Sequence, residues 1–177
     1  MVSVELMVSL KIPDVTALTA ANALRRRMGY AATLKQLRRA DYYRLDLALA
    51  DPEAALELAK ELAERTNLFV NPNKHVYELR VLAARGEQVG SEDGAYALNV
   101  LVTDPADGSG EGMLAALRGR LGYGDRVQGL LTGTLWTMVL AAESPERARQ
   151  MAEDIAVTKA RSQGLLMNPH FQECEVW

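Results

Sequence analysis

Val4, Leu6, Val8 and Leu10 alternate with Glu5, Met7, Ser9 and Lys11, the period of a strand with one buried face. Pro13-Asp14 breaks the run. Thr16 then stands as N-cap of a helix whose Leu18, Ala21, Leu24 and Met28 share a stripe. Arg25, Arg26 and Arg27 close it where the helix dipole favours cations, and Gly29 supplies the left-handed stop. The segment Thr33 to Arg39, and then Tyr43, Leu45, Leu47 and Leu49 alternating with Arg44, Asp46 and Ala48, read as two strands of a hairpin around Ala40-Asp41. Asp51-Pro52-Glu53 opens a second helix, with Asp as cap and Pro at the first position. Its stripe is Ala55, Leu58, Ala59 and Leu62, and after Asn71-Pro72 the residues Val76 to Leu82 form a last strand.

The same order then returns. Ala23 to Tyr30 is answered by Ala116 to Tyr123, Asp51-Pro52-Glu53 by Ser144-Pro145-Glu146, and Asn71-Pro72 by Asn168-Pro169. Leu98, Val100 and Val102 align with Leu6, Val8 and Leu10, while Trp136, Met138, Leu140 and Ala142 align with Tyr43, Leu45, Leu47 and Leu49. The chain reads as two divergent copies of one unit, residues 1–82 and 95–177, with a glycine-rich linker over 83–94. The order β-α-β-β-α-β predicts an α+β fold of two tandem ferredoxin-like units, each a four-stranded antiparallel sheet with helices on one face. Ala48, Leu101, Leu135 and Val139 place apolar groups on the opposite face. The expectation is therefore that the copies stack sheet to sheet as an intrachain pseudo-dimer, and that exposed strand edges then lead two chains to form a homodimer.

Composition narrows the functional classes. A net charge of −3 over 177 residues argues against a nucleic-acid protein, which carries a basic surplus on one face. The lone cysteine, Cys174, excludes an intramolecular disulfide, and its acidic neighbours Glu173 and Glu175 raise a thiol pKa rather than lower it. Without a basic leader or an apolar run long enough for a membrane span, the chain reads as cytoplasmic and without membrane contact.

Candidate chemistry is sparse. Gly108-Ser109-Gly110-Glu111-Gly112 follows a strand and opens a helix, where backbone N–H groups can hold a phosphate, yet it lacks the Lys of a P-loop and Glu111 repels anions. His75 and His170 fall two positions apart between the copies and have no second ligand at metal spacing, so no metal site is expected. Glu61/Glu64 and Glu153/Asp154 sit opposite the apolar stripes, as solvated surface does. Trp136 and Trp177 read as core or edge anchors. No catalytic residues and no bound cofactor are expected in this chain.

With both copies laid out, the chain resembles the PurS family, the small subunit of phosphoribosylformylglycinamidine synthase of purine biosynthesis. The resemblance rests on Val8-Ser9-Leu10-Lys11, on Leu24 through Met28-Gly29-Tyr30, on Arg38 and Tyr42, and on Asn71-Pro72 followed by Tyr77-Glu78-Leu79. In the second copy it rests on Leu121-Gly122-Tyr123, Gly133 and Asn168-Pro169 with Glu175-Val176. The family's D-P-Q-G is reduced to Pro13-Asp14 in copy one, and the Lys of its G-K-Y is Asp41 in one copy and Thr134 in the other. The resemblance implies a non-catalytic scaffold that bridges a glutaminase subunit and an ATP-dependent synthetase subunit, so that ATP, Mg²⁺ and glutamine belong to those partners. Its contacts would come from exposed hairpin and loop positions around Arg38, Tyr42 and Gly133. A rival class is a small-ligand sensor resembling tandem ACT domains, for which the glycine-rich turn of copy two is the distinguishing feature. An orphan interaction module is the third. Fold alone does not choose among them.

Overall fold

The computed structural model describes residues 1–84, 91–92, 94–160 and 163–177. Most of the linker expected over 83–94 lies outside the described residues. In chain order the elements are β1 (Val2–Leu10), α1 (Val15–Arg27), β2 (Leu34–Leu47), α2 (Pro52–Arg65), β3 (His75–Val81), β4 (Ser91–Glu92), β5 (Ala95–Thr103), α3 (Ser109–Arg118), β6 (Val127–Ala141), α4 (Pro145–Ala156) and β7 (Glu173–Val176). This is an α+β protein of antiparallel strands and four helices, compatible with the ferredoxin-like fold.

The chain folds into two compact units, and neither is a sequence half. The first comprises residues 1–12, 40–86 and 106–133; the second comprises 13–39, 87–105 and 134–177. The break within β2 falls between Arg39 and Ala40, and that within β6 between Gly133 and Thr134. The expected hairpin at Ala40-Asp41 is absent: Leu34–Leu47 is one strand of 14 residues. Neither Ala40 nor Asp41 supplies the positive φ that a tight hairpin needs, and Asp41 sits in register opposite Val8 of β1 instead.

In the first unit the strand order is β3-β1-β2-β6, using residues 40–47 of β2 and 127–133 of β6. Helices α2 and α3 cover one face. Val4, Leu6 and Val8 of β1, Leu45 and Leu47 of β2, Leu58 and Leu62 of α2, Leu117 of α3 and Val127 of β6 close a single core. Leu10, expected in the same row, is 38% exposed at the strand end. In the second unit β7 and β4 pair with β5, which pairs with β6, which neighbours β2. Helices α1 and α4 give its core Ala17, Ala20, Ala21, Leu24, Met151 and Ile155, packed on Leu98, Val100, Met138 and Leu140. Within each unit strands of the two copies thus lie edge to edge. That is a different arrangement from the face-to-face stacking expected of them.

Helix starts follow their caps. Asp51 Oδ2 accepts from the Ala54 amide at 2.9 Å and Ser144 Oγ from the Arg147 amide at 3.2 Å, each ahead of a Pro. For α1 the cap is Asp14, not Thr16: its Oδ1 accepts from the amides of Thr16 at 2.8 Å and Ala17 at 3.2 Å. Ala17, Ala20, Ala21 and Leu24 face inward and Leu18 is left exposed.

Register also revises the alignment of the copies. Leu6 lies opposite Tyr43, and Val100 lies opposite Trp136. With Tyr43 matched to Trp136, Leu6 therefore corresponds to Val100 and Glu5 to Asn99, two residues away from the alignment expected from the pattern.

Candidate interaction surface

The first unit's distinctive chemistry lies on the sheet face away from its helices. Because side chains alternate along a strand, burying Val4, Leu6 and Val8 under the helices turns Ser3, Glu5 and Met7 to the other side. Glu5 is nevertheless fully buried, the single buried charged residue among those described. In register it faces Arg44 on β2 and Arg80 on β3. Its Oε2 accepts from Arg80 Nε and Nη2, both at 2.7 Å, and its Oε1 accepts from the Tyr42 hydroxyl at 2.8 Å. A carboxylate removed from water costs several kcal/mol unless charge and hydrogen bonds replace the solvent. Arg80 and Tyr42 supply both.

The polar pattern continues along the strands. Ser3 Oγ donates to Asp46 Oδ1 at 2.6 Å. Arg44 Nε stands 3.4 Å from the same oxygen and makes no hydrogen bond among the described residues. Gly129 on β6 makes room for this carboxylate, since a Cβ there would stand 2.7 Å from Asp46 Oδ2. In the second unit the corresponding positions are milder. Thr137 Oγ1 donates to Asn99 Oδ1 at 2.8 Å, and Leu101 and Leu135 are buried beside them.

Of the three residues expected at a partner surface, Arg38 is exposed on the second unit's part of β2, and Gly133 lies half-buried within β6 rather than in a loop. Tyr42 requires a correction. It is 1% exposed, committed to Glu5, and offers no surface to a partner. The sequence reading missed Glu5 and Arg80, because a charge at an outward position of an alternating strand looks like ordinary surface. Their signal was opposite charge on two strands that the fold places side by side.

Other candidates take structural roles. Gly110 at the start of α3 is buried against β6, where a Cβ would come 2.9 Å from the Leu130 carbonyl oxygen. Beside it, Ser109 donates through its amide and hydroxyl to Asp107, holding that exposed carboxyl below the usual range. His75 Nδ1 accepts from the Asn71 amide at 3.2 Å, and His170 is an exposed turn residue. No group of three His, Cys, Asp or Glu side chains that could hold a metal occurs among the described residues. Burial, with Glu153 adding to it, raises the pKa of Cys174; the neighbouring Glu173 and Glu175 are not the cause. Tyr77, desolvated and donating to Glu64 Oε1 at 2.6 Å, has its pKa pushed up to about 12. Among the described residues no helix is long and apolar enough to cross a membrane.

Fold and surface together describe a helix-covered antiparallel α+β protein whose unusual chemistry is a buried ionic brace on a sheet. The family model of PurS, described as phosphoribosylformylglycinamidine (FGAM) synthase, matches residues 2–83. That segment of the chain is therefore similar to the PurS family, whose description ties the family to FGAM synthase. No curated protein and no solved structure matches the chain.

Proposed function

We propose that the chain is a non-catalytic subunit of FGAM synthase that bridges its glutaminase and ATP-dependent synthetase subunits, and that it arose by tandem duplication of a PurS unit. The observation that carries the reading is the family match over residues 2–83. ATP, Mg²⁺ and glutamine are then the partners' ligands. Arg38 and the strand around Gly133 are the proposed contact positions, and Tyr42 contributes by fixing Glu5 and hence the face of β1.

Repeated geometry supports the duplication. Arg25 Nε and Nη2 donate to the carbonyls of Leu34 and Lys35 at 3.0 and 2.6 Å, and Arg118 Nε and Nη2 to those of Val127 and Gln128 at 2.8 and 2.7 Å. Gly29 and Gly122 end the preceding helices at φ 82° and 76°. The Asn71 amide donates to the side chain of His75, and that of Asn168 to the side chain of Gln172, four residues on in each case. The ligand-sensor reading leaned on the glycine-rich turn of the second copy, and Gly110 has a packing reason to be there. Size-exclusion chromatography of the chain with the synthetase and glutaminase subunits, in ADP, Mg²⁺ and glutamine, tests the bridge. A ternary peak is expected. Partners that elute unshifted by this chain contradict the reading.

A further inference from the structure

Helix α1 carries two stripes. Ala17, Ala20, Ala21 and Leu24 are buried in the second unit's core. On the outer side Val15, Leu18, Asn22 and Arg26 recur at the spacing of one helix face, and all four are exposed. Val15 keeps 72% of its surface in water and Leu18 keeps 52%. The two adjoin, one turn apart, and the stripe ends on a cation. Neither Arg26 nor its neighbour Arg27 has a carboxylate partner among the described residues.

The second copy supplies an internal control. Arg118 repeats the clamp that Arg25 makes on the following strand, and Gly122 repeats the helix stop of Gly29, which aligns α3 with α1 position by position. The outer stripe there becomes Gly108, Glu111, Ala115 and Gly119, again all exposed. A helix followed by a strand therefore folds this way without the apolar pair and without Arg26. Residues 13–39 hold six Lys/Arg against Asp14 alone, whereas 106–132 hold three of each sign. Of the arginine triplet, Arg25 has a structural task that the second copy keeps, and Arg26 has none.

We propose that the outer stripe of α1 seats an amphipathic helix of one of the two synthase subunits, with apolar side chains of that helix on Val15 and Leu18 and its carboxylates against Arg26 and Arg27. The proposal rests on the bridging role. A row of side chains at this spacing is the seam along which one helix lies on another. Cations without internal partners select an acidic surface and repel a basic one. A free phosphate or a nucleic-acid strand would use the arginines and leave Val15 and Leu18 idle, and the stripe holds no aromatic ring on which a base could stack.

The test is a titration of the full chain into the synthetase and glutaminase subunits, with ADP, Mg²⁺ and glutamine, in which sedimentation reads the Kd of the ternary complex. Leu18→Ala removes apolar contact without charge, and Arg26→Gln removes charge. Each is expected to keep the far-UV spectrum and to weaken assembly about tenfold. Added salt should weaken the wild-type and Leu18→Ala complexes more steeply than the Arg26→Gln complex. Arg120→Gln, the same change at an exposed position of the second copy, should leave assembly as it was. Complexes that form equally well with Leu18→Ala and Arg26→Gln overturn the docking surface and leave the bridge standing. Loss with Arg26→Gln alone makes this a simple anion site and overturns the docked helix, and equal loss with Arg120→Gln reduces the effect to net charge and overturns it too. A wild type that assembles with neither subunit overturns the bridging role and this surface with it.

Discussion

Glu5 concentrates the energetics of the first unit in one residue. With Oε1 on Tyr42 and Oε2 on Arg80, its charge is both neutralised and hydrogen-bonded, and removing one partner exposes the cost of burying the other. Glu5→Gln should destabilise the chain by about 2–3 kcal/mol, less than for a fully enclosed pair, because the Arg80 side chain keeps 22% of its surface in water. Tyr42→Phe should cost about 1.5 kcal/mol, the low end for a hydrogen bond to a charged group. Urea unfolding measures both, and equal effects would contradict a charge-centred brace. This site was illegible in the sequence for a physical reason. Alternation says which side of a strand a residue faces, not whether that side is covered, and Tyr42 was misread as surface on the same ground.

At the scale of elements, period and capping were readable and connectivity was not. Helices α2 and α4 start where Asp51 and Ser144 announce them, since a side-chain oxygen that satisfies helix amides leaves a local sequence mark. β2 escaped because two short alternating runs look alike whether they turn back or continue. The absence of Gly or Asn at Ala40-Asp41 was the available clue. The two-residue offset between β1 and β5 escaped for a related reason: a shift by two keeps every side chain on its face, so only cross-strand pairing reveals it. Glycines divide in the same way. Gly110→Ala should cost about 1–3 kcal/mol, because its Cβ collides with the Leu130 carbonyl oxygen. Gly112→Ala, in the same helix with nothing within 4 Å, should stabilise by about 0.5–1 kcal/mol. Thermal unfolding of the two variants checks this, and effects of the same sign would contradict the close approach of α3 to β6.

Across the whole molecule, both cores are assembled from both halves of the chain. Leu117 and Val127 enter the first unit's core, while Ala17, Ala20, Ala21, Leu24 and Leu34 enter the second's. A fragment of residues 1–84 therefore lacks α3 and the early part of β6 that complete its first unit. It should fold only as a dimer, in which a second copy supplies α1 and the early part of β2. Circular dichroism with sedimentation tests this, and a monomer with native helix content would contradict it. The similarity of residues 2–83 to the PurS family is what supports the proposed bridging role. The most direct test of that role is a glutamine-dependent FGAM synthase assay on the synthetase and glutaminase subunits with and without this chain. The account predicts activity that collapses when the chain is omitted and returns when it is added. Full activity in its absence would contradict it.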